Sequence, residues 1–263
     1  TLAGNTAGNG GGGMKLSSSN PILTHVTLAG NTAGNGGGGM FLGFSNPTLN
    51  HVTLTGNTAY NSGGMYDDDG GGMYLITSDP TLTNSILWNN SPESIFISSN
   101  LDHFSTPVIT YSDVEGGWEG AGNIDADPLF TDPDNGDYSL QDGSPCIDTG
   151  NPNLWNQDVD GTPSDMGATG GLFVLPNFTS YDFGEVGDIG SSARFTLLNF
   201  RETPITISGV GFATSSFTTD ASFPMTIVPF ETGIIHIEGN NTSFEYVEDV
   251  MEIVSDDLPA GLS

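Results

Sequence analysis

TLAGNTAGNGGGGMFLGFSNPTLNHV, residues 27–52, is a stretch that the chain writes almost three times. Residues 1–26 read TLAGNTAGNGGGGMKLSSSNPILTHV, and residue 53 opens a third copy, TLTGNTAYNSGGMY. Thr1, Thr27 and Thr53, Met14 and Met40, and Pro21 and Pro47 each recur after 26 residues. A fixed period of this size, rich in Gly, Asn and Thr and lacking helical apolar spacing, marks a solenoid whose coils are built of strands. The predicted fold class is all-β: a right-handed parallel β-helix, one copy per coil.

Aligning the copies predicts the interior. Stacked coils lie about 4.8 Å apart, so residues at one repeat position form a column along the axis. Leu23, Leu49, Leu82 and Ile109 share one position, and Val26, Val52, Ser85 and Ser112 the next. Leu28, Leu54, Leu87 and Val114 share a third, while Met14, Met40 and Met73 are followed by Leu16, Leu42 and Leu75. The step of three and then two between the first columns implies a bend between short strands, since strict alternation would be two and two. The glycine runs at 11–13 and 36–39 suit tight corners, and no Gly-Lys-Ser/Thr follows that would make them a phosphate loop. Asn5, Asn31, Asn57 and Asn90 predict an amide ladder at a turn. Thr6, Thr32 and Thr58 stand beside it; an ice-binding array would need this row to continue, and the next coil has Ser91.

From Pro47 to Pro80 the step is 33 residues, and GGMY occurs at both 63–66 and 71–74. The insertion, with Asp67, Asp68 and Asp69, is expected to loop out and leave the register intact, its acids a solvated tip rather than a cation site. Beyond Leu87 the repeats weaken, with ILWNN, IFISS and VITYSDV as the remaining coil strands. The β-helix domain is assigned to 1–171, with residues 115–171 as its C-terminal cap. Leu129, Phe130, Tyr138, Leu140, Ile147, Leu154, Trp155 and Met166 would cover the open end. From 172–263 the segments SARFTLLNF, TPITISGVGF, FPMTIVPF, TGIIHIEG and VEDVMEIVS predict an antiparallel β-sandwich.

Charge narrows the function. Three basic residues, Lys15, Arg194 and Arg201, face 32 acids, for a net charge of −29. Nucleic acid, which needs Lys and Arg on its phosphates, is excluded as a partner, and so is an anionic membrane surface. No acid lies in residues 1–66, so coils stack there without like charges in register. Cys146 is the sole cysteine, which leaves no disulfide within the chain and reads as a small buried hydrophobe. No apolar run is long enough to span a membrane.

Two resemblances follow from the motifs. The L-x-x-N and G-G-M repeats resemble the FxxN and GGA[ILV] repeats of chlamydial polymorphic outer-membrane proteins. YSDVEGGWEGAGNIDADPLF, DYSLQDGSPCIDTGNP and DVDGTPSDMGATGG resemble the C-terminal end of exported bacterial right-handed β-helix proteins, of the pectate-lyase-like and choice-of-anchor kinds. YDFGEVGDIG, FTLLNF, ITISGV and the closing EIVSDD resemble immunoglobulin-like domains of the ASPM–SPD-2–Hydin type, although IEGNN stands where that family commonly has F-x-P. The resemblances imply export, to the medium or the bacterial cell surface, a spacer or interaction module, and no catalytic residue to carry over. The chain opens in mid-repeat, so further coils, an export signal and an anchor are expected outside it.

Three chemistries compete. A pectate-lyase-like enzyme needs a basic residue beside a calcium-neutralised uronate, and the repeats offer only Lys15; a hydrolase needs two facing carboxylates, which the coils up to Tyr66 lack. His25 and His51 stack one coil apart and, without an acid, read as a surface row. Calcium is the second: Asp132, Asp134 and Asp137, and Asp158, Asp160 and Asp165, place alternating oxygen ligands around Gly turns, although Asp-rich turns also form without metal. The third, favoured here, is a non-catalytic surface or adhesin-like protein with a glycan or protein ligand and no certain cofactor.

Overall fold

A computed structural model describes residues 1–60, 70–99, 104–184, 192–239 and 247–262. The chain forms two compact units, Thr1–Asp158 with Thr162–Gly171, and Leu172–Ser263 with Val159–Gly161. The first is a parallel β-solenoid of about four turns with about 26 residues per turn.

Coil stacks on coil in the predicted register. Ile22–Ala29 pairs in parallel with Thr48–Thr55, setting Leu23 on Leu49, Val26 on Val52 and Leu28 on Leu54. Thr81–Thr83 and Ile86–Trp88 continue those columns, followed by Val108–Thr110 and Asp113–Val114. On another wall Met14, Met40, Met73 and Ile95 align, with Leu16, Leu42, Leu75 and Ile97 two places on. Leu28, Met40, Leu42, Leu49, Leu54 and Leu87 are fully buried within one continuous core. Gly37 meets Gly70 and Met40 meets Met73 across the long third copy, so the seven extra residues leave the register unbroken. Asp67, Asp68 and Asp69 themselves lie outside the described residues.

The bend implied by the three-then-two spacing is a column of left-handed residues. His25, His51, Asn84 and Tyr111 have φ of 52°, 52°, 52° and 50°. Such a conformation costs a non-glycine residue roughly 1–2 kcal/mol, and stacking on the neighbouring coils holds it. Gly37 shows why the glycine runs are required: a Cβ there would lie 1.7 Å from the Met40 carbonyl oxygen.

At the asparagine corner each amide bridges two coils. The backbone N–H and Nδ2 of Asn31 both donate to Asn57 Oδ1, at 3.0 and 2.9 Å, and those of Asn57 to Asn90 Oδ1 at 3.1 and 3.0 Å. Nδ2 of Asn57 also reaches back to the Leu28 carbonyl at 2.9 Å. A second ladder, unseen in the sequence, is made of serines: the N–H groups of Ser19, Ser45 and Ser78 donate to Oγ of Ser45, Ser78 and Ser105.

The segment expected to cap the open end divides in two. At its start Trp118 packs on the core, Ile124 bridges Asp113, and Asn123 Oδ1 accepts from Ser112 N–H at 3.1 Å, prolonging the ladder logic by one partial coil. The remainder turns aside and runs back along the outer wall. There Phe130, Cys146 and Met166 bury against Ile86, with Tyr138 and Leu140 beside them. Leu129 and Leu154, expected in the cover, are exposed. The wall gives the strap both hydrogen bonds, at Thr53 and Asp113, and apolar area, at Ile86.

The second unit is antiparallel. Val174–Pro176, Ser192–Asn199, Thr232–Gly239 and Phe217–Thr219 form a four-stranded sheet; Ile205–Ile207 pairs with Met225–Ile227, and Gly209–Phe212 with Met251–Val254. Alternation buries Ala193, Phe195 and Leu197 on one strand and Ile235 and Ile237 on another. No helix among the described residues is long and apolar enough to cross a membrane.

Candidate functional site

The strap, residues 144–171, gathers most of the titratable groups worth testing. The Cys146 N–H donates to Ser144 Oγ, while the Cys146 carbonyl accepts from Met166 N–H. Next, the N–H groups of Asn151 and Gly167 donate to Asn84, at its Oδ1 and its carbonyl, and Ala168 N–H donates to Thr53 Oγ1. Gly171 then closes over the imidazoles. Its φ is +88°, and a Cβ would meet His51 Cε1 at 2.7 Å and His25 Cε1 at 3.1 Å.

His25 and His51 are therefore not a surface row. Their rings stack at 5.1 Å and 12°, and His51 is buried. His51 Nε2 meets Ser164 Oγ at 2.9 Å, the contact a serine nucleophile and its base would make. Two features deny it that role. His51 Nδ1 has no hydrogen-bond partner, so no carboxylate orients the ring, and Ser164 is itself fully buried. Burial lowers the pKa of His25 to about 4 and, with the added repulsion of His25, that of His51 to about 3. Both are neutral packing elements at pH 7. The sequence could not show this, because the residues that cover them lie more than 110 positions away.

The carboxylates sort differently from their spacing. Asp148, Asp158 and Asp165 each bring an oxygen within 4.8 Å of the others, the one such group of three among the described residues. Asp158 and Asp165 were read from the turn; Asp148 was missed, and Asp160 is not in the group. Asp158 is held by the backbone: Oδ2 accepts from Asp165 N–H at 3.0 Å, and Oδ1 accepts from Gly171 N–H. Asp165 Oδ1 in turn accepts from Asp148 N–H at 2.8 Å. Desolvation, with Asp165 beside it, pushes Asp158 up to about 7.

Asp132 and Asp137 face each other across the hairpin of Phe130–Asp132 and Asp137–Leu140, with Asp134 in its turn, and these three do not form a cluster of that kind. Asp132 Oδ2 accepts from Asn135 Nδ2 at 2.8 Å. Asp137 Oδ1 accepts from Ser139 Oγ at 2.6 Å and Ser139 N–H at 3.0 Å, which holds its carboxyl below the usual range. Asp132 and Asp137 thus hydrogen-bond within the turn, as Asp commonly does. No family model matches the chain, and no curated protein matches it.

Asp113 is a buried acid that the sequence reading passed over. Its side chain accepts from Ala126 N–H at 3.1 Å and from Cys146 Sγ at 3.3 Å. Burial raises Asp113 to about 6 and, with the Asp113 charge, raises the thiol well above its ordinary value. Cys146 is thus a buried thiol without thiolate character, inert by the usual criterion. The signal was available: Asp113 occupies the column of Thr27, Thr53 and Ile86, where a charge needs a partner from elsewhere in the chain.

Proposed function

We propose that the chain is part of an exported, non-catalytic binding protein: a right-handed β-helix followed by an immunoglobulin-like sandwich, released from the cell or held at a bacterial surface. One observation supports this most. The histidine–serine and aspartate–cysteine pairs, the contacts most like catalytic ones, are enclosed between strap and coils. The cations support it too. Lys15 lies over the Phe41 ring at 5.3 Å, and Arg201 donates from Nε to the Leu172 carbonyl and from a terminal nitrogen to the Asp257 carbonyl. The alternative is a pectate-lyase-like enzyme with degenerate coils or catalytic coils outside this chain. We expect no release of unsaturated product from pectate or alginate with added calcium, followed by ultraviolet absorbance. Turnover above about 1 s⁻¹, the low end for ordinary enzymes, would overturn the reading.

Calcium enters this proposal at one place, the Asp148, Asp158 and Asp165 group. Three carboxylates supply part of the oxygen set that the ion prefers. Binding to the folded chain alone must stabilise it by mass action, about 2.7 kcal/mol at a hundredfold excess over Kd. The melting temperature is therefore expected to rise between EDTA and millimolar calcium, and the rise to disappear in Asp158→Asn. Equal melting in both media would leave the group as a hydrogen-bonded latch.

A further inference from the structure

One outer corner of the solenoid presents an ordered strip that packing does not use. Phe44, Asn46 and Thr48 are exposed, while Ser45, Pro47 and Leu49 between and beside them are buried. Phe104, Thr106 and Val108 repeat the pattern, and Thr77, Asp79 and Thr81 lie between the two in the stack. The serine ladder fixes this order, with Ser45 N–H on Ser78 Oγ and Ser78 N–H on Ser105 Oγ, both at 2.9 Å. Residues 44, 77 and 104 thus form one column and 46, 79 and 106 the next. The second column is itself cross-linked: Asn46 Oδ1 accepts Asp79 N–H at 2.7 Å, and Asp79 Oδ1 accepts Thr106 N–H and Oγ1 at 2.6 and 3.0 Å.

Two aromatic rings stand out on this strip. Phe44 is 59% and Phe104 61% exposed, and Phe44 holds a left-handed φ of 53°, an uncommon conformation for a bulky residue. Two coils separate them, about 10 Å at the spacing of stacked strands. That is close to the length of a disaccharide in an extended β-linked chain. Exposed rings edged by amide, carboxylate and hydroxyl oxygen combine an apolar platform with hydrogen-bonding groups that their cross-links hold in place, which lowers the ordering cost of binding. The C–H face of a pyranose meets the first, and its hydroxyls the second. Charge selects among glycans: Lys15 is the only Lys or Arg of the solenoid unit, so an anionic uronate chain would face Asp79 with little to attract it.

We propose that these two columns bind an uncharged β-linked polysaccharide lying along the solenoid axis, with Phe44 and Phe104 stacking on alternate sugars and Asn46, Asp79 and Thr106 taking its hydroxyls. The inference rests on the binding-protein reading above and gives it a ligand class. The test is retention of the chain on microcrystalline cellulose and on chitin, with calorimetry on cellohexaose and chitohexaose. Retention on at least one of these polymers is expected. Phe44→Ala and Phe104→Ala should each weaken it about tenfold, as hot-spot truncations do, and the double variant should remove it, whereas Phe44→Trp with Phe104→Trp keeps it. Unchanged melting of the variants, whose rings are exposed, separates lost binding from lost folding. No retention on either neutral polymer, equal retention of the double variant, or preference for polygalacturonate would overturn the strip. Sugar release is measured in the same tubes: new reducing ends would overturn the binding-protein reading, and absent retention without release would overturn the strip alone.

Discussion

Asn57→Ala is expected to lower the free energy of unfolding by about 4 kcal/mol, the sum of several buried polar groups each costing about 1–3 kcal/mol when left unpaired. Asn57 is fully buried. Its Oδ1 takes both the N–H and the Nδ2 of Asn31, and its Nδ2 serves Asn90 Oδ1 and the Leu28 carbonyl. Alanine removes all of these at once. Asn5 is the internal comparison, since it is exposed and only donates to Asn31; Asn5→Ala should cost less than about 1 kcal/mol. Urea unfolding of both variants measures the difference. A loss under about 1 kcal/mol at Asn57 would mean that the ladder follows the stacking of the coils rather than supporting it.

Acid should act on this protein through two opposed pairs of groups. The unfolded chain protonates histidine near pH 6.5, whereas the folded chain withholds protons from His25 until about 4 and from His51 until about 3. The unfolded state therefore binds more protons as pH falls below 6.5, and each histidine drains about 1.4 kcal/mol of stability per pH unit. Asp113 and Asp158 do the reverse. Their folded values, raised to about 6 and about 7, mean that the folded chain binds the proton first, which adds stability as pH falls toward the ordinary carboxyl range. Stability from pH 6 to 4 is expected to change far less than either pair alone would require.

Variants uncouple the two. His51→Asn suits the backbone, because Asn84 holds the same left-handed position one coil on. Relative to wild type it should gain about 3 kcal/mol between pH 6.5 and pH 4, while Asp158→Asn should lose ground over the same range. The release of general acidic repulsion is nearly common to all three proteins and drops out of the differences. Parallel curves for His51→Asn and wild type would overturn the assignment.

What could be read from the sequence was whatever repeats. Leu28, Leu54 and Leu87 stack inward because a column occupied by like residues leaves only one register, and that register survived the long third copy. The left-handed bend at His25 and His51 was legible as an irregular step. Its covering was not. Ser164 and Gly171 reach the imidazoles from across the chain, and nothing periodic ties them to residues 25 and 51. The acids divide in the same way. Spacing alone brought Asp158 to Asp165, since a turn joins them, but Asp148 arrives from the other side of the strap, and Asp132 and Asp137 hydrogen-bond within their own hairpin. The serine ladder was missed because serine at a corner carries no hydropathy signal.

The strap has an evolutionary consequence. Tandem copies of 26 residues invite unequal recombination, and in a bare solenoid an additional copy is harmless, since each coil presents the same face to the next. Here Cys146 is tied to the coil of Asp113, Asn151 to Asn84 and Ser164 to His51. A duplication falling between His51 and Asn84 would part Ser164 from His51 by another coil height, about 4.8 Å, which the hydrogen bond cannot follow. Copy number under the strap is frozen by these attachments. Only coils beyond its reach, on the side of Thr1, are at liberty to multiply.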